Sequence, residues 1–238
     1  MQNRQFRVEP DSPLRAKIIV QILKHTKSDQ TVNLAEIAEA AGSTFRDVAK
    51  TLGLSLGIDD YSTLELQPFH RFKLASDAAR LGALQSVARA LTWQEFETFS
   101  EECLSRMGFQ TQKGVILKDD ARRWQIDIVA RRAQIVLAVD CKHWDSPNYP
   151  SKFNRAAEHQ KQALSLILRS QRSSQASYSA EWGLPVILTL FDPRSPILDD
   201  VVLVSVGQLS DFLNHLTPYD QRLPFVTSDL TESPISQP

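Results

Sequence analysis

WQIDIVARRAQIVLAVDCKHW, residues 124–144, is the stretch whose reading decides the fold. It holds two apolar runs, WQIDIVA at 124–130 and QIVLAV at 134–139, with only a short turn between them. Runs of this length, rich in Ile and Val, read as buried strands, and the brief connection makes them an antiparallel pair. Residues i and i+2 of a strand point to the same side, so Asp140 and Lys142 share a face and Cys141 takes the other. Asp127 lies inside the first strand between Ile126 and Ile128, where an acid is costly unless it has a partner or a ligand. Two carboxylates with an ammonium beside them suit a hard divalent cation and a phosphate. Alone, Asp140-x-Lys142 could be a plain ion pair at a strand end; the second acid in the neighbouring strand shifts the reading towards chemistry.

Working outward, LTWQEFETFSEECLSRMGF (91–109) has helical periodicity, with Phe96, Phe99, Cys103, Leu104 and Met107 towards the core. Glu95, Glu101 and Glu102 read as solvated charges on that helix. A strand is expected near 109–117, a helix over about 151–171, strands at 185–190 and 200–207, and a helix over 208–216. This order gives a mixed sheet flanked by helices, an α/β fold, over residues 91–217. Residues 218–238, rich in Pro, Ser and Thr, read as a disordered tail.

Residues 1–85 carry a different pattern. Leu14, Ile18, Ile19, Ile22 and Leu23 fall at helical spacing after the start signal Asp11-Ser12-Pro13. Two short helices follow, VNLAEIAEAAG with Asn33 as cap and STFRDVAKTLGL with Ser43 or Thr44 as cap, joined at Ala41-Gly42-Ser43 like a helix-turn-helix. TLELQPFHRFKLA (63–75) alternates in places like the strand pair of a wing, and 76–90 reads as a closing helix. The segment therefore resembles a winged helix-turn-helix, which presents Thr44, Arg46, Asp47 and Lys50 to nucleic acid. A three-helix module that only mediates dimerisation, with those charges merely solvated, fits the same pattern.

The ordered set of a helix with Glu97, a strand with Asp127, a strand with Asp140-x-Lys142, and a following helix FNRAAEHQKQALSLIL resembles the PD-(D/E)xK nuclease superfamily, most closely its Mrr-like restriction endonucleases. Ile126 stands where the Pro of the motif would be, Arg122-Arg123-Trp124 replaces a Gly-rich approach, and Asp140 occupies a position where Mrr-like members often carry Gln. The resemblance implies a restriction-endonuclease-like mixed sheet and a Mg²⁺-dependent deoxyribonuclease, with Mn²⁺ as a substitute. It further implies that Asp127, Asp140, the Cys141 carbonyl and Glu97 supply the metal ligands, that Lys142 orients the attacking water, and that Gln160 faces the site. Arg122, Arg123, Lys152, Arg155 and Lys161, with Arg131 and Arg132, are candidates for phosphate contact. DNA is the expected partner, in a restriction or repair role. A resolvase of branched DNA and a non-catalytic DNA-binding regulator remain as alternatives, and a homodimer is left open.

A net charge of −1 excludes a histone-like basic coat. The acidic surplus sits in residues 181–238, where two basic side chains face eight acidic ones, so a locally positive cleft is compatible with the total. Two cysteines, Cys103 and Cys141, build no disulfide framework and read as small core residues. His143 and His159 belong to no zinc-ligand spacing. The amino terminus lacks the apolar core of a signal peptide, and no segment approaches the roughly 20 apolar residues of a membrane span, so the cytoplasm is the expected compartment.

Overall fold

The computed structural model describes residues 12–26, 33–57, 65–119, 122–144, 150–173 and 181–227. Asp11 of the first helix's start signal, residues 63–64 of the expected wing and 228–238 of the expected tail lie outside the described residues. The chain forms two compact units, Met1–Glu95 and Phe96–Pro238.

In the first unit, helix α1 (Ser12–His25) packs against α2 (Leu34–Ala41), α3 (Phe45–Leu56), α4 (Pro68–Ala78) and α5 (Leu84–Ala90). Ile18, Ile19, Ile22 and Leu23 of α1 are buried, as are Ile37, Val48, Leu52 and Leu74. The Asn33 side chain accepts from Ala35 N at 2.9 Å, and Gly42 ends α2 with φ 62°, a left-handed conformation that suits glycine. Thr44 then caps α3 in a reciprocal box: Asp47 N donates to Thr44 Oγ1 at 3.2 Å and Thr44 N donates to Asp47 Oδ2 at 3.1 Å.

The wing is where the sequence reading is corrected. Residues 68–75 are helical, within α4. Pro68 occupies the first turn, where its missing N–H costs nothing. The buried set Arg71, Leu74, Ala75 and Ala78 follows the helical spacing i, i+3, i+4, i+7, which outweighs the partial alternation. The expected closing helix is interrupted by a π segment, Ala79–Ala83, kinked at Gly82 (φ 89°), before α5.

Helix α6 (Trp93–Arg106) runs from the first unit into the second. There a seven-stranded sheet is built from β1 (Gln110–Lys118), β2 (Arg123–Arg132), β3 (Ile135–Lys142), β4 (Trp182–Thr189), β5 (Ile197–Leu198), β6 (Val201–Ser205) and β7 (Val226–Thr227), in the order β1-β2-β3-β4-β6-β5, with β7 pairing β4. The β1-β2-β3 meander is antiparallel; β3, β4 and β6 run parallel. Helix α7 (Pro150–Ser173) makes the crossover from β3 to β4, and its Ala163, Leu164, Ile167 and Leu168 pack on Val129, Val136 and Ala138. Gly183 permits that approach, since a Cβ there would meet Leu164 Cδ1 at 2.8 Å. Helix α8 (Leu209–His215) follows β6.

Two short strands, β5 and β7, were not expected from the sequence. Residues 218–227, read as part of a disordered tail, fold back so that Val226 and Thr227 pair with Gly183 and Trp182, and the Phe225 ring meets Trp182 edge-on with centroids 6.2 Å apart.

Candidate active site

Asp127 comes from β2, Asp140 and Lys142 from the carboxyl end of β3, where the strand leaves its ladder with β2. The β2–β3 pairing ends at Ile128 opposite Val139; one residue beyond, Asp127 Oδ2 accepts from Cys141 N at 2.8 Å, so a side chain continues the ladder. That bond holds the Asp127 carboxylate beside Asp140, close enough for the Asp140 charge to act on it. Lys142 Nζ donates to Asp140 Oδ1 at 2.8 Å and lies 2.7 Å from Oδ2, outside hydrogen-bonding geometry. Asp140 is 9% exposed, and its Oδ2 is buried without a hydrogen-bond donor.

The electrostatics follow from this crowding. Burial, and then the Asp140 charge, push the Asp127 carboxyl up to about 6. Glu97, half-buried on α6, is also raised, first by burial and then by Asp127. Burial and the neighbouring acids hold the Cys141 thiol well above its ordinary value, and burial pushes Cys103 up to about 11, so neither is poised as a thiolate; both are half-buried, whereas the sequence reading placed them in the core.

These residues open onto a cleft of about 540 Å³ lined by Asp127, Asp140, Lys142, Lys152, Arg155 and His159. Lys152, Arg155 and His159 fall at i, i+3 and i+7 on α7 and form its cleft face. His159 packs on Trp124 with centroids 5.2 Å apart, and burial followed by the Lys142 charge lowers its pKa. The sequence reading set His159 aside as a zinc ligand and overlooked it as a cleft residue; the helical spacing from Lys152 was the available signal.

Other candidates sit elsewhere. Gln160 is 0% exposed and donates to the Ala138 and Val186 carbonyls at 3.4 and 3.3 Å, pinning α7 to β3 and β4; it does not line the cleft. Glu97 is not in the cleft lining either. Lys161 pairs with Glu158 at 3.4 Å, Arg131 Nη1 donates to Gln112 at 3.3 Å, and Arg132 donates to the Met107 and Leu213 carbonyls, a structural role. Arg122 stacks on Trp124, 3.5 Å from the ring centroid, while Arg123 is exposed on β2. Glu95, read as a solvated charge, instead holds the buried Arg71 at 2.6 Å. Glu101 accepts from Thr111 and Glu102 from Arg106. In the first unit Thr44 and Asp47 are committed to each other as the α3 cap, leaving Arg46 and Lys50 as the exposed cations of that helix.

Among the described residues no three His, Cys, Asp or Glu side chains converge as a ready metal cluster. The donor set nevertheless fits a hard cation: two adjacent carboxylates, one oxygen lacking a donor, and room for water and a phosphate oxygen. Mg²⁺ is commonly held by one or two carboxylates with the remaining positions filled that way.

Residues 88–189 match the Mrr_cat family model, described as a restriction endonuclease. The match runs from within α5 to the end of β4 and points to a nuclease of restriction-endonuclease type. An uncharacterized protein of Archaeoglobus fulgidus is 29% identical over 129 residues, 54% of this chain and 95% of its own length. Two solved structures are similar at low level. AF1548, a protein of unknown function, has a TM-score of 0.29 and 19% identity, covering 41% of this chain and 45% of its own. VC1899 from Vibrio cholerae has a TM-score of 0.38 and 11% identity, covering 87% and 50%. The chain thus spans about half the length of the solved proteins it matches. Among the described residues no helix is long and apolar enough to cross a membrane.

Proposed function

We propose that the second unit is a Mg²⁺-dependent endonuclease domain that hydrolyses phosphodiester bonds in DNA, and that the first unit helps dock the DNA through Arg46 and Lys50 on α3. The observation that carries this reading is the Asp127–Asp140 carboxyl pair beside Lys142, with a buried Asp140 oxygen lacking a donor, at the floor of a cleft whose α7 wall is cationic. Such a pair stores repulsion that only a cation or a proton relieves.

Asp127 and Asp140 would hold the metal, with the Cys141 carbonyl as a further oxygen and Glu97 acting from outside the cleft lining. When bound, Mg²⁺ supplies Lewis-acid polarisation of the phosphate and acidifies water. Lys152 and Arg155 receive the phosphate as charge-assisted donors. Lys142 orients the attacking water and offsets the charge that grows on the phosphoryl oxygens as the new P–O bond forms and the bond to the leaving oxygen breaks. His159, on the cleft wall, is placed to accept or return a proton.

The test is incubation of the full chain with linear, supercoiled, single-stranded and branched DNA, each with Mg²⁺ or with EDTA. Cutting with Mg²⁺ and none with EDTA is expected. Full cutting in EDTA would remove the metal mechanism, and no cutting of any substrate with Mg²⁺ or Mn²⁺ would leave the regulator reading.

A further inference from the structure

We propose that a second, smaller cavity beside the cleft receives one single-ring nucleobase, a pyrimidine, swung out of the strand whose phosphate lies against Lys142. The source of that ligand rests on the nuclease reading above. The cavity measures about 170 Å³ and is lined by Trp144, Phe153, Phe191, Leu198 and Leu203, with Asn154 and Arg194 among its polar residues.

Size selects the ligand class. Drug-sized sites run from about 300 to 1,000 Å³, well above this volume. An apolar cavity of about 150 Å³ is enough for benzene. One six-membered ring fits here with space to spare, and the larger fused rings of a purine fit less readily.

Position selects the source. Lys142 and Trp144 line both this cavity and the cleft that holds Asp127 and Asp140. A nucleotide carries its base one sugar away from its phosphate, so a phosphate at Lys142 brings a base to the far side of the same residues. Trp144 forms the partition: Lys142 Nζ and Lys152 Nζ lie 5.7 and 5.8 Å from its ring centroid, and Phe153 meets it edge-on with centroids 4.7 Å apart. Lys142, Lys152 and Arg155 on the cleft side suit the backbone, and the aromatic walls on the other, with Arg194 beside them, suit a base that has lost its stacking neighbours. Asn154, exposed on α7, offers a carboxamide that both donates and accepts, matching the edge of a pyrimidine.

The experiment uses the full chain, in EDTA so that no cutting enters. The indole N–H signals of its four tryptophans are followed by NMR, with the Trp144 signal assigned by Trp144→Phe. Deoxycytidine 5′-monophosphate, deoxyadenosine 5′-monophosphate and inorganic phosphate are titrated separately. The pyrimidine nucleotide is expected to move the Trp144 signal at roughly tenfold lower concentration than the purine, as a size-excluding pocket discriminates. Phe191→Ala, which removes one stacking wall, should weaken the response by roughly five- to 100-fold. Asn154→Trp, which plugs the rim from an exposed helix position, should abolish it even where Phe191→Ala disturbs folding. Equal responses to all three ligands, or a pyrimidine response unaffected by the plug, would overturn the proposal.

A parallel digestion of random-sequence duplexes with Mg²⁺ separates the two readings. Pyrimidines enriched beside the cut, with the enrichment lost in Asn154→Trp, support both. A pyrimidine response at Trp144 without any cutting keeps the pocket and rejects the nuclease. Cutting with neither response nor enrichment keeps the nuclease and rejects the pocket.

Discussion

Asp127→Asn should make the metal-free protein more stable at neutral pH. The carboxyl of Asp127 is raised from its ordinary 3.8 to about 6 by burial and by Asp140. A raised value means that the folded state holds the proton more tightly than the unfolded chain. The associated stabilisation is complete below about pH 4 and is lost as pH rises through about 6. A shift of about two units at roughly 1.4 kcal/mol per unit puts the loss near 3 kcal/mol. Asparagine stands in for the protonated acid at every pH: its carbonyl can still accept from Cys141 N, and its amide can donate to Asp140 as the protonated carboxyl does. Urea unfolding in EDTA should therefore find the variant about 2–3 kcal/mol more stable than wild type at pH 7.5 and the two proteins equal near pH 4. Saturating Mg²⁺ should stabilise wild type and narrow the gap, by about 2.7 kcal/mol at a hundredfold excess over Kd. A variant that is less stable at pH 7.5, or a difference that does not change between pH 4 and 7, would refute the argument that burial and the neighbouring Asp140 disfavour the Asp127 charge.

Further outcomes follow from the same geometry. Lys142→Ala should lower turnover by about a hundredfold or more while metal affinity, measured by calorimetry, holds or rises slightly; Lys142→Arg should not rescue, because a planar guanidinium cannot replace a single ammonium at 2.8 Å from Asp140. Glu97→Gln, outside the cleft lining, should reduce single-turnover cutting less than Asp140→Asn does. Lys152→Ala and Arg155→Ala should each weaken DNA binding and flatten its salt dependence by about 0.9 in the log–log slope. Arg71→Ala should destabilise the first unit by about 3–5 kcal/mol in thermal or urea unfolding, because Glu95 and the carbonyls of Leu23 and Thr26 lose a donor that is 2% exposed.

The sheet and the acid pair were legible because their signals are local and periodic. A strand pattern places Asp140 and Lys142 on one face with no tertiary information, and the short turn at 133–134 brings β3 straight back beside β2. The fate of individual charges was not legible, since it depends on what lies opposite in space. Glu95 reads the same as Glu101 in the sequence, yet it faces a buried arginine 24 residues earlier. Gln160 lies one position past the cleft face of α7, and that step of 100° turns it from the cleft into the β3–β4 interior. The wing failed for a third reason. Alternation over a few residues competes with helical spacing, and Pro68 with Arg71, Leu74 and Ala75 decides for the helix only when a buried arginine is admitted as a core residue.

That a chain of net charge −1 can carry a phosphate cleft follows from where the charges are fixed. Asp127 and Asp140 sit on adjacent interior strands, β2 and β3, one residue past the last β2–β3 ladder pair, and the bond from Cys141 N to Asp127 Oδ2 holds the two acids side by side. The surrounding structure supports the strain: Gln160 ties α7 to the carbonyls of β3 and β4, and Gly183 lets Leu164 pack close. The same helix brings Lys152 and Arg155 over the acids, with Lys142 beside them. Field at the cleft is therefore set by a few cations within reach of the site, whereas among the described residues the acids of 181–227 are absent from its lining. A cation bound between the carboxylates would turn the one locally negative spot positive, and the whole cleft would then present a single sign of charge to a phosphate.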